Sequence, residues 1–329
     1  MYNVGIDVGS KELVMVIRHK EKNQKARSFS NTPEGHAQII KTLSSKKKAV
    51  RVCLEATGIY HFDMAVALSR SHTLEVMVVN PKASRRFAEA LMTRSKTDQV
   101  DATVLAQFAE TMPFESWLAP DDKVLELRAF SRKLAALAKL KTQTKNQLHA
   151  LESSVSVPEI ILEETQASIE FLENQIQRLK EHALTLIGAE ERLQRSLEII
   201  TSIKGIAETS AIQLLGELLI LPKDMNHRQW VAFAGLDPRH YQSGTSIAKR
   251  PRISKAGNSY LRQALYMPAL CASHRDPYVN AYYRHLIENQ GLRKMQAVCA
   301  VMRKLLHAIH AMLKNEVHFD NTRFFNRVA

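Results

Sequence analysis

Four carboxylates have the residue types for phosphate chemistry. Asp7 lies in Tyr2-Asn3-Val4-Gly5-Ile6-Asp7-Val8-Gly9-Ser10, and Glu55 ends Val50-Arg51-Val52-Cys53-Leu54-Glu55. Asp98 and Asp101 lie in Lys96-Thr97-Asp98-Gln99-Val100-Asp101. Mg²⁺ or Mn²⁺ takes oxygen ligands. Two such ions about 3.5–4 Å apart can stabilise both the attacking and the leaving oxygen at a phosphate. Clustered carboxylates repel one another, which raises their pKa values until a cation relieves the repulsion. Each residue alone has a plainer reading. Asp7 suits a turn before Val8-Gly9, and Glu55 suits an exposed strand end before Ala56-Thr57-Gly58. Asp98 suits a helix cap, with Asp101 as first-turn charge. Taken together they point to a metal site.

Three elements must converge to build such a site. Val4 to Val8 reads as a short buried strand, ended by Gly9-Ser10. Glu12 to His19 is a second strand, rich in β-branched and apolar residues. Lys25 to Asn31 alternates like a third, edge strand. Thr32-Pro33 opens a helix to about Leu43, with Pro at a favoured first-turn position. Ala49 to Glu55 is a fourth strand, Ile59 to Ser69 a helix and Leu74 to Asn80 a fifth strand. Pro81 opens another helix, and a last one runs from near Thr97 to about Thr111. The order βββαβαβαα predicts a mixed sheet covered by helices. It resembles the RNase H-like fold and, within it, the RuvC-type nucleases. That resemblance implies Asp7 at the end of the central strand and Glu55 at the end of its neighbour. Asp98 and Asp101, at i and i+3, share one helix face.

Residues 1–122 form this α/β domain, 123–190 a helical coiled-coil spacer and 191–329 a mostly α domain. In the spacer, Leu127, Phe130, Leu134 and Leu137 follow 3–4–3 spacing, continued by Lys141, Thr144, Leu148 and Leu151. Ser153 to Pro158 interrupts the seam, and Ile169, Leu172, Ile176, Leu179, Ala183 and Leu186 resume it. Two amphipathic helices joined by a Pro-bearing turn make an antiparallel hairpin. It packs on itself or assembles with the same helices of another subunit.

Charge is uneven. The chain of 329 residues has net charge +13 and a pI of about 9.6. Residues 221–329 hold 17 Lys+Arg against 6 Asp+Glu, while residues 1–220 hold 29 against 27. A basic C-terminal third suits a polyanion partner, because each neutralised phosphate releases a counterion. Cys53, Cys271 and Cys299 are far apart, which argues against a disulfide scaffold or zinc knuckle. No apolar run approaches the ~20 residues needed to span a bilayer, and no signal-like leader is evident. The expectation is a cytosolic protein with no membrane partner.

The last domain carries two further candidates. Ile203-Lys204-Gly205-Ile206 between two helices looks like a helix-hairpin-helix, whose turn offers backbone N–H groups to a phosphate. A plain helix–turn–helix packing unit fits it nearly as well. Phe233-Ala234-Gly235-Leu236-Asp237-Pro238 then leads through Arg239 and Ser243-Gly244 to Lys249-Arg250-Pro251-Arg252-Ile253-Ser254-Lys255-Ala256-Gly257 and Leu261-Arg262. Composition alone reads this as a flexible phosphate-binding loop with a turn at Ser243-Gly244. His307 and His310, at i and i+3, suit a packed helix better than a metal pair.

Gly235-Leu236-Asp237-Pro238, Ser243-Gly244, Ser254-Lys255-Ala256-Gly257 and Leu261-Arg262 change that reading when set beside Gly5-Ile6-Asp7, Cys53-Leu54-Glu55-Ala56-Thr57-Gly58, Val79-Asn80-Pro81 and Lys96-Thr97-Asp98-Gln99-Val100-Asp101. The combination resembles the bridge-RNA-guided insertion-sequence transposases, relatives of the Piv DNA invertase, over nearly the whole chain. The resemblance implies a RuvC-like Asp-Glu-Asp-Asp tetrad at Asp7, Glu55, Asp98 and Asp101, holding Mg²⁺ or Mn²⁺. It implies Ser243 as nucleophile toward a DNA phosphate, with a covalent phosphoserine link later reversed by strand exchange. It further implies a noncoding guide RNA pairing with target and donor DNA, and a dimer or tetramer whose subunits share tetrad and serine. Arg239, Arg252, Lys255 and Arg262 are candidates for holding phosphate, with Lys204 and Gly205 for the backbone. Two rivals remain at this level. A junction-resolving nuclease would use the tetrad and water alone, and a non-enzymatic nucleic-acid scaffold would need neither tetrad nor serine.

Overall fold

The computed structural model describes residues 1–46, 48–56, 60–93, 95–243 and 247–325, and of residues 240–243 and 247–250 the backbone alone. Contacts divide the chain into two compact units, Met1–Ala119 and Pro120–Ala329. The chain is α/β at its N-terminal end and mostly helical overall.

In the first unit, β1 (Tyr2–Val8) pairs antiparallel with β2 (Glu12–His19) and parallel with β5 (Val50–Glu55). The two-residue β3 (Lys22–Asn23) and β4 (Arg27–Ser30) both pair with β2, and β6 (Leu74–Val79) runs parallel to β5. The sheet is therefore mixed, as the element order predicts. The edge strand is shorter than the expected Lys25–Asn31, with β3 added before it. One sheet face packs Val4, Ile6, Val52 and Leu54 against Ile39 and Leu43 of α1 (Pro33–Ser44) and Met64 and Leu68 of α2 (His61–Ser69). The other face packs Cys53, Met77 and Val79 against Leu105 and Phe108 of α4 (Asp98–Thr111), beside α3 (Pro81–Ala90). Side chains alternate across a strand. Val4 and Ile6 therefore point to α1 and α2, and Gly5 and Asp7 point to α4. A Cβ on Gly5 would lie 1.9 Å from the Ala102 carbonyl oxygen and 2.4 Å from the Ala106 amide nitrogen. Only a residue without a side chain lets α4 lie that close to the central strand.

In the second unit, α5 (Asp122–Glu152) and α6 (Glu159–Gly188) form the expected hairpin. Its seam is buried toward the base at Leu127, Leu134 and Leu137 of α5 and Ala183 and Leu186 of α6, with Ile169 buried nearer the turn. Burial of each such leucine contributes about 2 kcal/mol. Farther out, Lys141 and Lys145 reach Glu173 at 3.7 and 2.9 Å, so the polar seam position becomes a cross-helix ion pair. Val124, Leu127, Leu134, Ala183, Leu186 and Ile187 share one core with the later helices. The hairpin base is thus continuous with the last domain instead of a free-standing spacer. The later helices are α7 (Glu191–Thr201), α8 (Glu208–Leu218), α9 (His227–Ala234), α10 (Ser259–Arg275), α11 (Pro277–Glu288) and α12 (Lys294–Asn315).

The segment between α9 and α10 departs from the loop expected there. It forms an antiparallel ribbon of β7 (Pro238–Ser243) and β8 (Ile247–Ile253). Both prolines of this segment occupy places a ribbon tolerates. Pro238 is the first residue of β7, and Pro251 lies opposite the register shift between Arg239 and Tyr241. Neither position requires a ladder N–H.

Candidate active site

The tetrad is built by strand ends and one close helix crossing. The β1–β5 register runs from Tyr2–Val50 to Ile6–Leu54. Asp7 and Glu55 are the next residues on adjacent strands, on the face that α4 covers. The α4 crossing at Ala102 and Ala106 carries Asp98, one turn earlier on the same stripe, toward the same strand ends. The α4 cap is Thr97, whose hydroxyl accepts from the Val100 N–H at 3.3 Å. Asp98 and Asp101 are therefore first-turn residues, and neither carboxylate is used as the cap.

The four carboxylates act on one another electrostatically. Burial, then the charges of Asp101 and Asp98, push Asp7 up to about 6, with Glu55 adding to the rise and the Val8 N–H opposing it. Asp101 is also raised, first by burial and then by Glu55 and Asp98, against the pull of Lys96. Coulomb coupling reaches farther than a coordination bond. Among the described residues no group of three or more His, Cys, Asp or Glu side chains stands close enough to grip one ion as placed. In chemistry the donor set fits a hard divalent cation: carboxylate oxygens from three elements, mutually repelling and partly removed from water.

Sequence reasoning missed one residue here. Ser84, 4% exposed, donates its hydroxyl to Glu55 Oε2. Asn80 caps α3 by accepting from the Lys82 N–H at 2.9 Å, and this fixes the turn that presents Ser84. The signal was available in Asn80-Pro81, a helix start with a hydroxyl one turn on. Cys53, on the same face, is buried, and burial followed by the Glu55 charge pushes its thiol up to about 12. It is an inert core residue.

In the second unit, Ser243 ends β7 opposite Ile247. Gly244 and the Thr57-Gly58 pair of the quoted motifs lie outside the described residues, as does the Ser243 side chain. The motif residues around Ser243 form the root of the ribbon. Backbone hydrogen bonds extend its ladder downward: Ser254 N–H to Asp237 O at 2.8 Å, Lys255 N–H to Gly235 O at 3.0 Å and Asn258 N–H to Phe233 O at 2.7 Å. The Ser254 hydroxyl donates to Asp237 Oδ1 at 2.5 Å. Gly235 closes α9 in the left-handed region at φ 66°. A Cβ on Gly257 would lie 2.2 Å from the Phe233 carbonyl oxygen. Lys255 also holds a left-handed conformation, φ 51°, which glycine adopts at lower cost.

The candidate phosphate ligands divide. Arg239 and Arg252 are directly opposed on the ribbon and both exposed. Like charges at such a pair destabilise it until an anion intervenes. Lys255 is exposed as well. Arg262 is half-buried, and its Nη1 donates to the carbonyls of Ala234, Gly257 and Asn258 at 2.8, 3.2 and 3.4 Å. Lys204 is exposed, but Gly205, φ 107°, is packed so that a Cβ would meet Pro268, Cys271 and Ala272 of α10 at 3.0 Å. Glu208 in the first turn of α8 pairs with Lys180 at 2.7 Å. The turn thus has a packing role, with a carboxylate at the helix start.

His307 and His310 sit on α12 beside His227. His310 donates Nε2–H to the Met225 carbonyl at 2.9 Å, and burial, then His227, lowers His307 to about 4. No described helix is long and apolar enough to cross a membrane.

Residues 4–154, which include all four carboxylates, match the model of a DEDD-type IS110 transposase, described as "Transposase". Residues 197–284, which include the ribbon, match the model described as "Transposase IS116/IS110/IS902 family". The chain is similar to the pilin gene-inverting proteins of Moraxella bovis and Moraxella lacunata. It is 28% identical to each over 298 residues, 89% of this chain and 90% of theirs. Two models of one family match in order along the chain, and relatives match across nearly its full length, so the chain belongs to the IS110/IS116/IS902 transposase-recombinase family and is a DNA recombinase.

Proposed function

We propose that this transposase cuts and rejoins DNA through Ser243, with the Asp7, Glu55, Asp98 and Asp101 carboxylates holding Mg²⁺ or Mn²⁺ in an RNase H-like domain of RuvC type. The observation that carries the proposal is the electrostatic convergence of the four carboxylates, seen most clearly in the elevation of Asp7. A group of acids that repel one another at two strand ends and a helix start is unfavourable unless a cation is to be bound. The sheet order supports the fold assignment. The opposed pair Arg239 and Arg252 supports a phosphate partner next to Ser243.

The Ser243 hydroxyl oxygen forms a bond to a DNA phosphorus. The bond from that phosphorus to one deoxyribose oxygen breaks, and the freed deoxyribose hydroxyl takes up a proton. A hydroxyl of the exchanged strand then attacks the phosphoserine and restores Ser243. Two ester exchanges conserve the phosphodiester bond, so no high-energy cofactor is required. A bound divalent ion supplies charge neutralisation at the phosphate. Arg239, Arg252 and Lys255 orient the phosphate, with Arg262 holding the backbone beneath them. Sequence choice is delegated to a noncoding guide RNA that pairs with target and donor DNA, and the basic C-terminal third contacts backbones. A dimer or tetramer in the cytosol brings tetrad and serine of different subunits together. The relatives are named for inverting a pilin gene, and inversion of a gene is a recombination of DNA.

The test is a trap. The protein, the RNA that co-purifies with it, Mg²⁺ and DNA from the ends of its own element are mixed and then denatured. A protein–DNA adduct that persists, and is lost in Ser243→Ala with binding retained, is the expected result. DNA cleavage by Ser243→Ala at the unmodified rate, with no adduct in either protein, would instead identify a hydrolytic nuclease.

A further inference from the structure

We infer that Glu217 is a positioning residue for the Ser243 ribbon, holding its root through Asn258; this rests on the Ser243 reading above. Glu217, on α8, is fully buried at 0% exposure. Its carboxylate accepts from Asn258 Nδ2 at 2.6 Å and from Arg132 at 2.8 Å (Nε) and 3.4 Å (Nη2). Arg128 Nε stands 3.9 Å away. A carboxylate so far from water persists only with charged, hydrogen-bonding partners. Two guanidinium groups of α5 supply the charge. Arg132 also lies over the Tyr260 ring at 4.8 Å, in the first turn of α10.

Close packing delivers Glu217 to these partners. The preceding residue is Gly216, where a Cβ would lie 2.5 Å from Ser131 Cβ and 3.2 Å from Arg128 Cα. The helices α5 and α8 therefore touch almost backbone to backbone, with Glu217 set between Arg128 and Arg132. On the other side, Asn258 is held through its amide N–H and both ends of its side chain. Its N–H donates to Phe233 O, its Oδ1 accepts from Leu261 N–H at 3.1 Å as the cap of α10, and its Nδ2 donates to Glu217. Asn258 is thus the last rung of the ladder that ends at Ser243, and Glu217 ties that rung to the helical core. An isolated two-stranded ribbon is marginally stable in water. The placement of its tip depends on how firmly the root is held.

The test uses the full chain. Glu217→Gln preserves shape and removes the charge. Asn258→Ser keeps an N-cap for α10 but is too short to reach Glu217, and it carries the test if Glu217→Gln does not fold. Hydrogen exchange is followed at the amides of Ser254, Lys255 and Asn258 and, as reference, along α12. Affinity for a random-sequence DNA duplex and adduct yield in the trap are measured alongside. The expected result is exchange at the root amides faster by about 10-fold with α12 unchanged. Duplex affinity stays within about 2-fold, because phosphate contacts set it. Adduct formation slows on the order of 10²-fold, the usual consequence of misplacing a reacting group by about 1 Å. Unchanged root exchange in folded variants, or faster exchange throughout the second unit, overturns the inference. If Ser243→Ala forms the adduct normally, the Ser243 reading fails, and the exchange data alone decide whether Glu217 holds the ribbon.

Discussion

The tetrad and the serine ribbon are positioned by different physics. Asp7 and Glu55 stand on strands whose neighbours Val4, Ile6, Val52 and Leu54 are fully buried, and Asp98 and Asp101 stand on the helix in backbone contact with the central strand at Gly5. Moving one of them means moving a close-packed core. Among the described residues, Ser243 ends a two-stranded ribbon separate from the larger sheet, fastened below by hydrogen bonds and a buried ion cluster. Packed apolar layers resist displacement. Hydrogen bonds alone hold an element less firmly. A site that binds a cation gains from the first kind of support. The proposed nucleophile, which would meet one strand and then release another, would gain from the second.

The contrast can be broken or sharpened by substitution. The largest effect is expected from Asp98→Asn, which removes a tetrad charge without touching the core. Recombination should fall on the order of 10⁴-fold while thermal stability of the metal-free chain is unchanged or higher. Retained activity in this variant would remove the tetrad from the chemistry. Gly5→Ala comes next: a methyl pressed into the α4 backbone should destabilise the first unit by about 3 kcal/mol. Calorimetry should show that transition lowered, with the transition of the second unit unmoved. Equal shifts in both would contradict the separation of supports.

Asp7 gives a pH test. Its folded value, about 6, is raised from 3.8. Folding therefore favours the protonated acid, and the associated stability is present below about pH 4 and lost as pH rises through 6. In metal-free protein, Asp7→Asn should raise stability at pH 7 by about 2 kcal/mol after solvent screening. The gain should vanish below pH 4, as measured by denaturant unfolding. Mn²⁺ should stabilise the unmodified chain at pH 7 and not the variant.

Two smaller effects complete the series. Ser84→Ala frees Glu55 from its hydroxyl donor. It should lower stability by about 1 kcal/mol and weaken Mn²⁺ binding about 10-fold, as loss of a supporting hydrogen bond does at metal sites. Denaturant unfolding reads the first and titration calorimetry the second. Lys255→Gly relieves a left-handed backbone and should raise stability by about 0.5 kcal/mol, yet weaken DNA binding and flatten its salt dependence by about one unit of slope.

Much of the first unit was legible in the chain. Strand and helix order and the shared face of Asp98 and Asp101 follow from alternation, a helix period and turn residues, whereas the adjacency of the Asp7 and Glu55 strands comes from the family resemblance. The α5–α6 hairpin was equally plain, because its apolar spacing is long and regular. The ribbon was not. Its strands are short, basic and interrupted by proline, so local composition reads as loop. Pairing rescues those residues only when the partner strand is present. Arg262 reads as a phosphate ligand by type, and the fold uses one of its nitrogens to hold three carbonyls. Asn258 and Glu217 carried no signal strong enough to single them out, because each matters through a partner 41 or 85 residues away.

The sequence by itself determined which residues have the chemistry: four carboxylates for a hard cation, a serine among arginines, and a basic third for a polyanion. Those are properties of side-chain type and local periodicity. The tertiary structure decided which of them meet and what holds them. Gly5 sets how near α4 comes to β1, and Gly216 sets how near α5 comes to α8, and a glycine shows what it admits only when the neighbouring backbone is in place. Long-range approach, fixed by the absence of a side chain, is the part of this protein that no local pattern could disclose.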